Sequence, residues 1–264
     1  MLYRVDSLPQ TGINPINGNR FDDRWIVFQL TDSDAYRLLV GAQKNGAYSI
    51  CASRVCCPKW YMSGGDFVSF HTVMNKNMLL VMTEQEQTEM ERRYVGHVYN
   101  EPLRDYEPKV LVHSTTTENW QQIQRDGMLK SWNRLRKEKI LREEQPIGSY
   151  LGDPIDFSDY VMFGGGVHCE IVVLSRQKGR ITMNTQAEYE PGVRLYFDFE
   201  KIAADGLLVR DGAHMKVREM LPLEPYLLWA ATMETVGMPG NKSTPEQFSK
   251  VADAMFEEEF EVKL

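Results

Sequence analysis

Residues 109–130 read KVLVHSTTTENWQQIQRDGMLK, and the interpretation of the whole chain works outward from them. Lys109 to His113 is a short run rich in β-branched and apolar residues, which predicts a buried strand. Thr116 or Thr117 then offers a hydroxyl that can accept from an open backbone N–H in the first turn of a helix. Trp120 and Ile123 share one face of that helix. Gly127 ends it, because glycine adopts the left-handed backbone of a helix stop without strain.

Further strands are expected at His168–Leu174, Val193–Phe199, Gly206–Val209 and Ala213–Val217. Near the end, Thr244-Pro245-Glu246-Gln247 combines a capping threonine, a proline at the first helical position and a glutamine able to close a capping box. A helix from Pro245 to about Glu258 follows, with Phe248, Val251, Ala252 and Met255 on one side.

The first hundred residues read as strands and turns. Residues 36–40 and 47–51 flank Lys44-Asn45-Gly46, a hairpin signal because Asn-Gly supplies positive φ. Residues 66–70 and 77–82 form a second candidate pair, and Glu84–Tyr94 is polar and helical in pattern. Asn100–Pro108, with two prolines and several charges, is the best linker. These readings divide the chain into a strand-rich domain at 1–105, a second domain at 106–235, and a C-terminal helix with an acidic tail at 236–264.

Composition narrows the function classes. A net charge of −7 argues against nonspecific binding to nucleic acid, which needs basic surface to displace counterions. A local basic stretch does run from Lys130 to Arg142, and reads as a solvated helix or loop. The longest apolar runs, Met78–Met82 and Tyr226–Thr232, fall far short of the roughly 20 residues that cross a bilayer. The N-terminus lacks a secretory pattern, so a cytoplasmic setting without membrane attachment is expected. Cys51, Cys56 and Cys57 cluster with His71, but their spacing matches no structural zinc pattern; they read as small buried hydrophobes, and no metal is expected.

Three ordered segments resemble the ADP-ribosyltransferase superfamily, which includes poly- and mono-ADP-ribosyl transferases and tRNA 2′-phosphotransferases. The first is Val112-His113-Ser114-Thr115 with Asn119-Trp120, Ile123, Gly127 and Leu129. The second is Gly148-Ser149-Tyr150-Leu151-Gly152-Asp153 followed by Ser158-Asp159-Tyr160. The third runs from Leu195 to Phe199 through Asp205-Gly206 and Met215-Lys216-Val217 to Leu221-Pro222 and Tyr226-Leu227. The resemblance covers about residues 110–230 and implies an α+β fold: an ADP-ribosyltransferase-like split β-sheet domain behind the small strand-rich N-terminal one.

It also implies NAD as substrate, with His113, Tyr150 and His214 in catalysis and His113, Ser114, Thr115, Tyr150, Ser158 and Tyr160 in binding. His113 would hydrogen-bond the ribose and backbone groups of Ser114 would hold the carboxamide. Tyr150 and Tyr160 would sandwich the nicotinamide ring, and Ser158 would donate to its amide. Read from the residues alone, both tyrosines serve equally well as core plugs. Tyr160 stands one residue closer than the family pattern. Alignment through Pro222 and Tyr226 places Ala213 where the family carries a glutamate, with His214 as the neighbouring polar group. The leading expectation is an NAD-dependent ADP-ribosyl transferase acting on an unidentified protein, nucleic-acid or small acceptor. The alternatives are an RNA 2′-phosphotransferase-like enzyme using the basic stretch, and an inactive module that binds NAD or ADP-ribose.

Overall fold

The computed structural model describes the chain except residues 9–10, 43–45, 142–145, 147 and 150–151. It is a mixed α+β structure with several small sheets and, among the described residues, seven α-helices. Contacts group the chain into two compact units. The first comprises Met1–Glu101, Gly148–Phe157 and Val209–Met215; the second comprises Pro102–Ile147, Ser158–Leu208 and Lys216–Leu264. The first crossing, after Glu101, falls inside the segment read as a linker. The sequential division at residue 106 otherwise gives way to a discontinuous one.

The first unit carries β1 (Leu2–Val5), β2 (Trp25–Thr31), β3 (Leu38–Ala42), β4 (Tyr48–Ser53), α1 (Trp60–Val73), β5 (Asn77–Val81) and α2 (Glu84–Arg93). They form one five-stranded sheet in the order β1-β5-β2-β4-β3. The expected hairpin is present: β3 and β4 run antiparallel with Val40 opposite Ile50. Lys44 and Asn45 of its turn lie outside the described residues.

The second expected pair is overturned. Residues 66–70 belong to α1, which links β4 to β5 across β2, and both of those strands run parallel to β2. A parallel crossover needs a dozen or more residues, which the interval from β4 to β5 supplies as a helix. Phe67 and Phe70 are fully buried, and Phe28 of β2 meets Phe67 at 5.5 Å between ring centroids. The five-residue alternation of Asp66 to Phe70 was too short to separate strand from helix.

Thr83 caps α2 in a full capping box with Glu86. The Glu86 carboxylate also takes Arg54 Nε at 2.6 Å and Nη2 at 3.2 Å. Hydrogen bonding from Arg54, outweighing partial burial, holds Glu86 down at about 2. Because Glu86 titrates lower in the folded chain than in the unfolded one, its contribution is present above the unfolded pKa of about 4.3. That contribution is lost as pH falls through about 2. Arg54→Ala should move the Glu86 titration midpoint, followed by the carboxyl carbon shift in NMR, toward 4, and should remove about 1 kcal/mol of stability at neutral pH.

The second unit contains β6 (Val110–Thr115), α3 (Thr117–Asp126), β7 (Met128–Lys130), α4 (Trp132–Lys137), β8 (Tyr160–Met162), α5 (His168–Lys178), β9 (Val193–Asp198) and α6 (Phe199–Ala204). β10 (Leu208–Arg210) starts at the end of this stretch and passes into the segment grouped with the first unit; the second unit resumes along β11 (Met215–Arg218) and continues with β12 (Met220–Pro222), β13 (Leu227–Ala231) and α7 (Pro245–Phe260). β13, β9 and β6 form an antiparallel sheet in that order. β7 pairs with β12, and β8 with β11.

The opening motif folds as its residues dictate. Thr116 accepts from Asn119 N at the start of α3, and Gly127 closes that helix at φ 66°. Residues 168–174, expected as a strand, form α5 instead. Ile-Val-Val-Leu favours strands locally, but Glu170, Ile171, Val173, Leu174 and Ser175 cover a buried helical face and Gly179 ends the helix in the left-handed conformation. The stretch from 236 is not a separate tail. Phe248, Ala252 and Phe256 of α7 are fully buried against Val110, Val112 and Tyr196, with Phe256 stacked on Tyr196 at 4.3 Å. Its inner face is rotated from the expected one, leaving Met255 38% exposed.

Candidate functional site

The site is built from β6. Val112 exchanges both backbone hydrogen bonds with Gly164, each 2.9 Å. Bonding direction alternates along a strand, so His113, opposite Leu195, bonds toward β9, while the N–H and C=O of Ser114 face the same outer edge as those of Val112. That edge carries a donor and an acceptor side by side. Beyond the bridge, Gly165 and Gly166 are exposed, and a methyl group on either would meet nothing within 4 Å.

Side chains alternate as well. Val112 faces α7, so His113 projects to the opposite face, where its ring meets Phe163 edge-on at 6.1 Å. His113 Nδ1 lies 3.1 Å from the Met162 carbonyl oxygen. A carbonyl only accepts, so Nδ1 carries the proton and Nε2 of the neutral ring is an acceptor. Burial pushes the His113 pKa below the ordinary histidine value, against the Met162 carbonyl, and the charge of Arg176 lowers it further. The ring is therefore neutral at pH 7.

Ser114 turns its side chain inward, so only its backbone is left for a ligand. Its Oγ donates to Glu170 Oε1 at 2.5 Å. Tyr189 donates to Glu170 Oε2 at 2.7 Å and Arg194 Nη1 to Oε1 at 3.2 Å. Arg194 in turn forks onto Asp253 of α7, Nε to Oδ1 at 2.9 Å and Nη2 to Oδ2 at 3.0 Å. Sequence reading missed this network. Its available signal was a lone charge in each of two apolar runs, Glu170 within α5 and Arg194 within β9, since charges there are buried only when paired.

The backbone of Thr115 fixes the end of β6 against Gly192. A Cβ on Gly192 would stand 1.9 Å from the Thr115 carbonyl oxygen and 2.7 Å from Thr116 Cα. Both are main-chain atoms that can yield only if the strand moves. Gly192→Ala should therefore cost about 1–3 kcal/mol in a denaturant titration, as overpacking does.

The remaining expected residues are distributed as follows. Tyr160 lies on β8 and is buried, with Lys216 Nζ 4.6 Å from its ring centroid. Ser158 is buried in a short 3-10 turn. Tyr150 lies outside the described residues.

His214 groups with the first unit. Its Nδ1 is 3.1 Å from Asp211 Oδ2, and its Nε2 is 3.4 Å from the Tyr48 hydroxyl. Asp211 also accepts from the backbone N–H of Ala213 and His214. Burial, then the charges of Asp153, Asp211 and Asp156, raise the Tyr48 phenol above its ordinary range, so it stays protonated. Nearby Asp153 is pushed up to about 6 by burial, with the charge of His214 acting against the rise.

Two cations of the basic stretch are engaged internally. Lys130 bridges Asp126 and Glu138 at 2.7 Å each, and Arg134 Nε meets Glu138 at 2.6 Å. An open groove in the second unit, lined by Trp120, Gln124, Gly127, Leu223, Glu224 and Leu227, includes none of the expected site residues. Among the described residues no group of three or more His, Cys, Asp and Glu side chains is arranged to hold a metal ion, and no helix is long and apolar enough to cross a membrane. No family model, curated protein or solved structure matches the chain.

Proposed function

We propose that this protein is an NAD-dependent ADP-ribosyl transferase that cleaves the bond between nicotinamide and ribose and passes ADP-ribose to an acceptor. The observation that carries this reading is the β6 edge: a neutral His113 with Nε2 as acceptor beside the backbone N–H and C=O of Ser114. A primary carboxamide has one acceptor oxygen and a donor NH2, so it satisfies both Ser114 groups at once. A ribose hydroxyl donates to His113 Nε2. Such contacts act through positioning: they hold the glycosidic bond where charge can develop on the ribose as the bond breaks.

The rival phosphotransferase reading needs free cations for phosphate, and the engagement of Lys130 and Arg134 by Asp126 and Glu138 weighs against it. Ala213 favours the inactive binding module, because no carboxylate stands at that position to activate an acceptor. One experiment separates the three. The purified chain is incubated with NAD, and in parallel with a 2′-phosphorylated RNA plus NAD, and products are read by mass spectrometry. Free nicotinamide with NAD alone supports the transferase; product only with the RNA supports the phosphotransferase. A thermal shift with NAD and no product supports the binding module.

A further inference from the structure

We propose that Glu170 is a positioning residue whose task is to fix the Ser114 edge of β6; the proposal rests on the reading of that edge as the carboxamide-binding element. β6 is the outer strand of its sheet, held on its far side at Val112 by Gly164. Ser114 lies two residues beyond that bridge, where a strand end would fray. Its hydroxyl is tied instead to Glu170, and Arg194, directly opposite Ser114 on β9, donates to the same carboxylate oxygen. Tyr189 takes the other oxygen, and Asp253 fastens Arg194 to α7. Residues of α5, β9 and α7, with Tyr189, thus act on one serine through Glu170.

Stability alone does not explain the arrangement, because buried ion networks are often no more stabilising than apolar packing of the same volume. Their strength is directional. A fixed Ser114 side chain holds its N–H and C=O, and the neighbouring His113 ring, in one orientation.

The test uses the full chain carrying Ser114→Ala, Ser114→Thr or Glu170→Gln, with two readouts. The first is steady-state nicotinamide release from NAD. Ser114→Ala should raise KM about tenfold with kcat unchanged, because an edge held in its binding orientation about a tenth of the time binds with affinity reduced by that fraction. Ser114→Thr, which keeps the hydroxyl, should restore the wild-type KM, and Glu170→Gln should behave as Ser114→Ala does.

The second readout is hydrogen exchange of the His113 and Thr115 amides without NAD, which Ser114→Ala should accelerate and Ser114→Thr should not. Unchanged KM and unchanged exchange in Ser114→Ala would overturn the proposal while leaving the transferase reading intact. A wild-type chain inert toward NAD would remove the transferase reading, and exchange alone would then decide whether Glu170 fixes the edge. If Glu170→Gln does not fold, the two Ser114 variants decide.

Discussion

Arg194→Met should destabilise the protein by about 3–5 kcal/mol in equilibrium denaturation, the largest loss expected from any single polar substitution. The Arg194 side chain is 0% exposed, and Glu170 is 1% exposed. Methionine fills much of the arginine stem's volume, so cavity formation contributes little. What changes is charge: Glu170 keeps Ser114 and Tyr189 as donors but loses its ion-pair partner Arg194, leaving an anion in the interior. Asp253 is 23% exposed and can recruit water, so the penalty falls mainly on Glu170. The double variant Arg194→Met, Glu170→Met removes both charges of that pair and should recover part of the loss. A single variant as stable as wild type would show that the network is dispensable.

His113→Ala should lower kcat/KM for nicotinamide release about 100-fold, the scale at which a lost orienting contact misplaces a reacting group. Stability should fall as well, through loss of the hydrogen bond to the Met162 carbonyl and of the edge-on contact with Phe163. Melting temperatures measured alongside the rates separate the two contributions. The pH profile carries a second signature. Since burial keeps the His113 pKa below its ordinary value, activity that depends on Nε2 as an acceptor should be level across neutral pH and fall only in acid as the ring protonates. A rate that rises on acidification would mean the protonated ring is the active form.

The parts legible in the sequence were those set by local chemistry. Thr116 and Gly127 bound α3 as their side-chain hydroxyl and missing Cβ require, and Thr244 opens α7 by accepting from Gln247 N. The Leu39-Val40 and Ile50-Cys51 runs pair as a hairpin around Gly46. What failed was decided by tertiary context. The runs at Asp66–Phe70 and Ile171–Leu174 look like strands, yet each is helical because the burial they serve lies on a helix face packed against a sheet.

The site divides the same way. His113 and Ser114 could be named from one strand, but the partners of Ser114 lie 56 residues away at Glu170, and those of Arg194 lie 59 residues away at Asp253. No local pattern encodes such pairings. The expectation that Tyr160 stacks on a ligand could not anticipate Lys216 over its ring, a contact made across β8 and β11.

The most direct measurement is a titration of the isotope-labelled protein with nicotinamide, and separately with nicotinic acid, while the backbone amide resonance of Ser114 is followed. The two compounds share a ring and differ in that only the carboxamide has an N–H to give to the Ser114 carbonyl. The account predicts a saturable shift of the Ser114 resonance with nicotinamide and a much weaker response to nicotinic acid. No shift with nicotinamide, or equal responses to both, would contradict it.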